Sequence, residues 1–211
     1  MKLIFATGNR GKLREAQEIL GEGFTLVTPA DMGITEEIPE TGNTLEENSL
    51  QKAEYLYSRA KEVPGCFADD TGLEVEALGG APGVYTARYA SLRGRAGNGD
   101  HDFEANMDTL LAELQNSTDR RARFRSVVTL MLDGQTHVFE GVLEGRIATE
   151  KAGCGGFGYD PVFIPDELPG AISNTSALTL AEITEEEKNA ISHRGKALRA
   201  MAAWLQEHHG K

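Results

Sequence analysis

Two adjacent carboxylates, Asp69 and Asp70, follow the apolar run Cys66-Phe67-Ala68 and precede Thr71-Gly72-Leu73. Neighbouring carboxylates repel each other. In a strand their side chains point to opposite faces, so at least one leans toward the interior. Burial of a carboxylate is costly unless a cation or a hydrogen-bond donor compensates it. A hard divalent ion such as Mg²⁺ is one such compensation, because it takes carboxylate oxygens. The doublet therefore points to metal-assisted chemistry at the carboxyl end of a strand. Asp-Asp-Thr-Gly is also good turn chemistry, and a solvated turn accounts for the same four residues. Other segments decide between the two.

The segment Thr7-Gly8-Asn9-Arg10-Gly11-Lys12 separates an apolar run from a helical pattern. Glycines there let backbone N–H groups approach an anion, and a helix N-terminus adds a favourable dipole. Lys12 supplies charge and Thr7 a hydroxyl. The spacing is too short for a Walker loop, and Leu13 stands where that motif needs Ser or Thr. Position and composition favour a phosphate cradle over an ordinary βα turn. Glu40, before Thr41-Gly42, could be a further metal ligand, and Lys52 lies on the helix that follows. Each taken alone is equally explained as a solvated loop acid and a surface lysine.

Gly155-Gly156-Phe157-Gly158-Tyr159-Asp160-Pro161 places two aromatics and a carboxylate in a glycine-rich loop. An aromatic face beside a carboxylate could stack on and hydrogen-bond a planar heterocycle. A rigid turn with inward aromatics and Asp160 capping Pro161 is the other reading. Ser192-His193-Arg194 sets two strong donors side by side at a helix junction, suited to a carbonyl or phosphate oxygen or to a solvated cap. Gly-x-Ser-x-Gly is absent, so no nucleophile elbow is present. His101, His137, His193, His208 and His209 lack His-Glu-x-x-His spacing, which argues against zinc.

The elements that must position these groups read as follows. Leu3 to Ala6 is a short strand, Lys12 to Leu20 a helix with Leu13, Ala16, Ile19 and Leu20 on one face, and Phe24 to Val27 a second strand. That β-α-β opening is an α/β signature. Thr44 with Glu47 is a capping box for a helix to about Lys61, and Cys66 to Ala68 is a third strand. Residues 79–101, with a Gly-Asp-His cluster at the end, read as a long loop. Phe103, Met107, Leu110, Leu111 and Leu114 mark an amphipathic helix. Arg123 to Leu132 and Thr136 to Val142 form a hairpin about Asp133-Gly134, and strand continues over Gly145 to Thr149. Val162 to Ile164 is a short strand. Thr184 with Glu187 is a second capping box; the helix breaks near Ser192-His193-Arg194-Gly195, and a last helix carries Leu198, Met201, Ala202 and Leu205. An α/β start joined to an antiparallel middle implies a mixed sheet and a cleft between lobes.

The chain has 211 residues, 40% hydrophobic and 26% charged, enough for one sizeable core or two small lobes. Lys and Arg number 21 against 33 Asp and Glu, a formal net charge of −12. Such a surface repels nucleic-acid backbones and anionic membranes, so an anionic ligand needs a local cluster of Lys, Arg and metal. No run approaches the ~20 apolar residues of a membrane span. The apolar core of Met1 to Gly8 is too short for a signal peptide. Cys66 and Cys154 read as free, partly buried thiols in a reducing cytosol, and a cytoplasmic protein is expected.

These segments, in this order, resemble the inosine/xanthosine triphosphate pyrophosphatases, which remove nonstandard purine nucleotides. The resemblance rests on residues 7–12, on Glu-Thr-Gly-Asn-Thr-Leu-Glu-Glu-Asn at 40–48, on Ala-Asp-Asp-Thr-Gly-Leu at 68–73, and on Gly-Gly-Ala-Pro-Gly-Val-Tyr-Thr-Ala-Arg-Tyr at 79–89. It continues with Gly-Gly-Phe-Gly-Tyr-Asp-Pro at 155–161 and Glu-Glu-Lys-Asn-Ala-Ile-Ser-His-Arg at 186–194. Thr71 and Thr86 stand where the family often has Ser, which keeps the hydroxyl. Residues 171–180 are more polar than the family pattern. The resemblance implies an α/β fold with an elongated mixed β-sheet flanked by helices and two lobes around a central cleft, one domain over 1–211 without a separable linker, and a homodimer. It implies Mg²⁺-dependent hydrolysis of dITP/ITP and XTP/dXTP to the monophosphate and pyrophosphate. Thr7, Gly8, Asn9, Arg10, Gly11 and Lys12 would hold the phosphates with Lys52. Glu40 and Asp70 would hold the metal with Asp69 beside them, Asp70 would accept the proton of the attacking water, and Thr71 would touch substrate. Phe157, Gly158, Tyr159, Asp160, Lys188, His193 and Arg194 would form the base pocket.

The chemistry is consistent with that reading. Triphosphate hydrolysis needs an in-line water and a neutralised leaving group, and Lys12, Lys52 and Mg²⁺ supply positive charge. A pyrophosphatase for modified pyrimidine triphosphates is one alternative. A non-catalytic nucleotide-binding protein is another, and it would not need Glu40 together with Asp69 and Asp70.

Overall fold

The computed structural model describes residues 1–60, 62–95 and 101–209. In chain order it contains β1 (Lys2–Phe5), α1 (Arg10–Leu20), β2 (Thr25–Val27), α2 (Leu45–Arg59), β3 (Gly65–Val75), β4 (Pro82–Gly83), α3 (Tyr89–Leu92) and α4 (Phe103–Glu113). There follow β5 (Arg121–Leu132), β6 (Gln135–Ile147), β7 (Phe163–Pro165), β8 (Glu167–Leu168), β9 (Ile172–Ser173), α5 (Glu185–Ile191) and α6 (His193–His209). The fold is mixed α/β. The expected end of α2 at Lys61 and the Gly99-Asp100 part of the glycine cluster lie outside the described residues.

Local chemistry explains the boundaries. Asn9 caps α1, its side-chain oxygen accepting the N–H groups of Gly11 at 2.8 Å and Lys12 at 3.1 Å. Thr44 caps α2 through the Glu47 N–H at 3.1 Å, but the Glu47 carboxylate takes the Asn43 N–H at 2.6 Å, so the reciprocal box expected there is half formed. At Thr184 the box is complete, with Glu187 N–H to Thr184 Oγ1 at 3.2 Å and Thr184 N–H to Glu187 Oε2 at 2.9 Å. Asp133 and Gly134 turn the β5–β6 hairpin at φ 50° and 77°, the left-handed pair a tight hairpin needs. The expected loop at 79–101 contains β4, α3 and a 3-10 turn at Thr86–Arg88.

β3 differs most from expectation. A three-residue strand ending at the Asp doublet was expected, yet the strand runs eleven residues straight through it. Its first half pairs with β1, Phe5 opposite Phe67, and its second half with β4, Leu73 opposite Gly83. Partners at both ends keep the backbone extended where the local sequence favours a turn.

The chain divides into two compact units. Unit 1 is Met1–Asp70, Ser126–Gly141 and His193–Lys211; unit 2 is Thr71–Arg125 and Val142–Ser192. In unit 1, β1 lies between β2 and β3 and is parallel to both. Leu3, Phe5 and Phe67 face α1 and α6, packing with Leu20, Leu198, Met201 and Leu205, and the Phe5 and Phe67 rings stack at 4.4 Å. Ile4 and Cys66 face the other way, toward Leu56 and Ala60 of α2 and its end. Both faces of β1 and of the first part of β3 are covered, which is why Leu3–Phe5 and Cys66–Ala68 are continuous apolar runs. Cys66 is buried, and burial pushes its thiol up to about 12; Cys154, expected to be partly buried, is exposed.

Unit 2 has its own core of Leu73, Val75, Tyr89, Met107, Leu110, Phe124, Leu143 and Phe163. Asn106, fully enclosed, accepts from Ala90 N–H at 2.8 Å and donates to the Ala87 carbonyl at 3.0 Å, which pins the turns before α4. β7 pairs antiparallel with β6, and β8 and β9 form a small hairpin of their own. Among the described residues no helix is long and apolar enough to cross a membrane.

A β-carbon at Gly141 would lie 2.0 Å from the His193 carbonyl oxygen and 2.6 Å from Ala197 N, both backbone atoms of α6. Gly141→Ala is expected to cost about 1–3 kcal/mol in urea unfolding. Gly23→Ala, with nothing within 4 Å, is expected to stay within about 0.5 kcal/mol of the parent.

Candidate active site

Strand alternation delivers the two aspartates to different layers of unit 1. Continuing the sequence Cys66 toward α2 and Phe67 toward α1 and α6, Asp69 falls on the α1/α6 face and Asp70 on the α2 face.

On the first face Asp69 is 3% exposed. Its Oδ2 accepts Lys12 Nζ of α1 at 3.1 Å and Arg194 Nε of α6 at 3.0 Å. Arg194 Nη1 lies 3.6 Å from Glu15 of α1. Burial opposes the Asp69 charge, but Lys12, Arg194 and Lys52 outweigh it and hold the carboxyl well below the usual carboxylate range. Burial likewise disfavours the Arg194 charge, and Asp69 with Glu15 reverses the balance. The motif reading puts Arg194 in the base pocket; the structure sets its guanidinium on the carboxylate it shares with Lys12. His193 opens α6 beside it.

On the second face Lys52 is 6% exposed, and its Nζ bridges Glu40 Oε1 at 3.1 Å and Asp70 Oδ1 at 3.2 Å. Asn48 Nδ2 donates to Asp70 Oδ2 at 3.1 Å. Burial raises the Asp70 pKa; Lys52 and Asn48 pull it back, Glu40 pushes it further up, and the net shift is upward. For Lys52 burial works against the charge, yet Asp70, Asp69 and Glu40 raise its pKa overall. The doublet is therefore two sites. Asp69 is a buried counter-ion to two cations, and Asp70 belongs with Glu40. Among the described residues no group of three or more His, Cys, Asp or Glu side chains gathers to hold a metal. Glu40 and Asp70, the two ligands the family resemblance implies for a metal, lie together on this face, and Asp69 lies on the other.

Thr7 is buried and its Oγ1 accepts the Asn9 N–H at 3.0 Å, while Gly8, Arg10 and Gly11 are exposed. Two N–H groups of the expected phosphate cradle, those of Gly11 and Lys12, donate to Asn9. The Asn9 side chain thus takes the two N–H groups that the motif reading offers to a phosphate. Thr71 follows Asp70 on β3 and is half-buried.

Unit 2 carries the aromatic loop. Phe157 is 68% exposed, with its ring edge-on to Phe103 at 4.3 Å. It borders a pocket of about 640 Å³ that Phe103, Met107, Lys151 and Cys154 also line. Tyr159 behaves differently from the reading that both aromatics are presented: it is 2% exposed, and its hydroxyl donates to the Thr86 carbonyl at 2.9 Å. Asp160 is buried and accepts the Phe157 N–H at 2.5 Å together with Lys188 Nζ. Tyr159 and Asp160 thus hold the loop from below, with Gly158 between them, and Phe157 is the side chain the loop displays.

Sequence reading missed Asn48, Ser49 and Glu15. A signal for the first two exists. The buried face of α2 is Leu45, Asn48, Ser49, Lys52, Ala53 and Leu56, an apolar stripe interrupted by three polar residues. Ser49 Oγ donates to the Ala68 carbonyl at 3.0 Å and meets Thr129 Oγ1 at 2.8 Å, tying α2 to β3 just before the doublet.

With this geometry in view, comparison with known proteins is decisive for the family. A model of the Ham1 family matches residues 3–204. The chain belongs to the Ham1 family. It is 46% identical over 201 residues to a dITP/XTP pyrophosphatase of Flavobacterium psychrophilum, covering 95% of this chain and 97% of that one. It is 48% identical over 205 residues to a protein of the same name from Porphyromonas gingivalis, with 97% of each covered. Among solved structures it resembles the Staphylococcus aureus Ham1 protein (TM-score 0.82, 36% identity, 98% of this chain and 99% of that one). It also resembles a HAM1 protein from Coxiella burnetii (TM-score 0.84, 34% identity, the same coverage).

Asp69→Asn leaves Lys12 and Arg194 facing a neutral side chain and is expected to cost about 3–5 kcal/mol at pH 7. The folded pKa of Asp69 is depressed below the usual carboxylate value, so its contribution is full above that value and is lost as pH falls through the lower folded pKa. The stability gap between parent and variant, measured by urea unfolding at a series of pH values, should therefore be widest near neutrality and close in strong acid.

Proposed function

We propose that the chain hydrolyses nonstandard purine nucleoside triphosphates, dITP/ITP and XTP/dXTP, to the monophosphate and pyrophosphate. The observation that carries this is the convergence of the Glu40 and Asp70 carboxylates on the Lys52 ammonium, on a layer next to the Lys12–Asp69–Arg194 cluster. The names of the relatives support the substrate class.

The residues fit Mg²⁺. Hard carboxylate oxygens of Glu40 and Asp70 already lie within 3.2 Å of one cationic centre. Glu15, Glu40, Asp69 and Asp70 outnumber Lys12, Lys52 and Arg194 by one charge, so the two layers together favour a further cation. Glu40 and Asp70 would hold the ion, which when bound supplies Lewis acidity and neutralises phosphate charge. The chain does the rest. Asp70, held by Lys52 and Asn48, is placed to orient the attacking water and accept its proton. Lys12, Lys52 and Arg194 are fixed donors toward developing negative charge. Asp69 holds Lys12 and Arg194 in place before substrate arrives, so little reorganisation is needed at the moment of reaction.

Phe157 offers an exposed ring to a purine. His193 can donate to the 6-oxo group of hypoxanthine or xanthine and would meet the 6-amino group of adenine donor to donor, which costs about 1–3 kcal/mol for a donor left unpaired; Arg194, which the motif reading pairs with it, is held by Asp69 and Glu15. GTP shares the 6-oxo group, so its rejection requires a second feature that disfavours the 2-amino group. A homodimer and a cytoplasmic location belong to the same proposal; family resemblance supports the first, and the location of the nucleotide pool the second.

The test is pyrophosphate release from dITP, XTP, GTP, dTTP and ATP, each with Mg²⁺ and with EDTA. Fast, metal-dependent turnover of dITP and XTP alone is expected. Turnover confined to dTTP would overturn the purine assignment, and binding of dITP without turnover would leave a nucleotide-binding protein. Asp70→Asn should lower kcat by about 10²–10⁴-fold; near-parental turnover would remove Asp70 from the chemistry. Phe157→Ala should raise KM for dITP, and an unchanged KM would assign the ring to packing.

A further inference from the structure

We propose that Asn48 is a positioning residue that fixes the placement of Glu40 relative to Asp70; this rests on the hydrolase reading above. The loop carrying Glu40 is clamped to the first turns of α2 by three successive backbone N–H groups. Thr41 N–H donates to Gln51 Oε1 at 2.9 Å, Gly42 N–H to Asn48 Oδ1 at 2.8 Å, and Asn43 N–H to Glu47 Oε2 at 2.6 Å. Gln51 Nε2 returns a bond to Thr41 Oγ1 at 2.9 Å. A β-carbon at Gly42 would lie 2.6 Å from Glu47 Cβ and 2.8 Å from Asn48 Oδ1, so this close approach requires glycine.

Of the three clamping side chains, Asn48 is the buried one, 3% exposed. It also reaches β3, where its Nδ2 holds Asp70 Oδ2 while Lys52 holds Oδ1. The amide orientation is dictated by its partners: a backbone N–H only donates and a carboxylate only accepts, so the oxygen faces Gly42 and the nitrogen faces Asp70. One side chain thus ties the loop that carries the first carboxylate to the second carboxylate. Aspartate is isosteric but has no donor for Asp70, and alanine provides neither end. Groups that orient metal ligands in this way typically change metal affinity or activity by about 10–100-fold when removed.

The experiment uses Asn48→Ala and Asn48→Asp in the full chain. Mg²⁺ binding without nucleotide is measured by calorimetry, kcat and KM for dITP at saturating Mg²⁺ by pyrophosphate release, and folding by circular dichroism. Asn48→Ala is expected to weaken Mg²⁺ binding and lower kcat by about 10-fold or more, with KM within about 2-fold. Asn48→Asp, which keeps the bond to Gly42, is expected to lose kcat to a similar extent while remaining folded. Should Asn48→Asp retain parental kcat, or should Asn48→Ala lower only the melting temperature and leave Mg²⁺ affinity and kcat intact, the proposal is overturned. If the parent itself releases no pyrophosphate, the hydrolase reading fails, and Mg²⁺ affinity in the variants still decides the role of Asn48.

Discussion

Alternation along β3 places two ionised side chains, one residue apart, in two different layers of unit 1, and each layer supplies its own compensation. Asp69 meets Lys12 and Arg194 from α1 and α6; Asp70 meets Lys52 and Asn48 from α2. A buried carboxylate without partners would cost several kcal/mol. The helices on both faces of the strand are therefore bound by charge as well as by apolar packing. The same requirement draws α1 and α6, far apart in sequence, together beside Asp69 in the middle of β3.

The two layers are not equivalent chemically. On the α1/α6 face two cations, Lys12 and Arg194, balance Asp69 and Glu15, and Asp69 is held ionised. On the α2 face two carboxylates share one lysine, and the more buried of them has its pKa pushed up. Under the proposed reading the second face is the one that would take a cation and a proton acceptor. The cradle at the start of α1 follows a related logic. Asn9 satisfies the first N–H groups of the helix in the absence of an anion, which keeps that terminus folded and leaves Lys12 to Asp69.

How much of this was legible follows from the range of the interactions. The βα turn at Thr7 to Lys12, the caps at Thr44 and Thr184, the Asp133-Gly134 hairpin and the helix break at Ser192-His193 are local, set by side chains bonding to backbone within a few residues. They were readable, and the structure holds them with small shifts. The length of β3 was not readable, because Asp-Asp-Thr-Gly favours a turn unless strands on either side supply ladder partners, and those partners come from β1 and β4. Tyr159 shows the same limit. Its loop left open whether both aromatics are displayed or both turned inward; the bond to the Thr86 carbonyl and the unit 2 core take the Tyr159 ring inward, while Phe157 stays exposed.

The sequence by itself determined which side chains this protein brings to its chemistry: carboxylates, lysines and a glycine-containing helix start, in an order shared with one family. Covalent order and local propensity are enough for that. Only the tertiary structure decided which carboxylate does what. Asp69 and Asp70 are the same residue type one position apart, and no local rule separates them. The pleat sends one to α1 and α6 and the other to α2, and the helices that happen to cover each face make one a counter-ion and the other the candidate base.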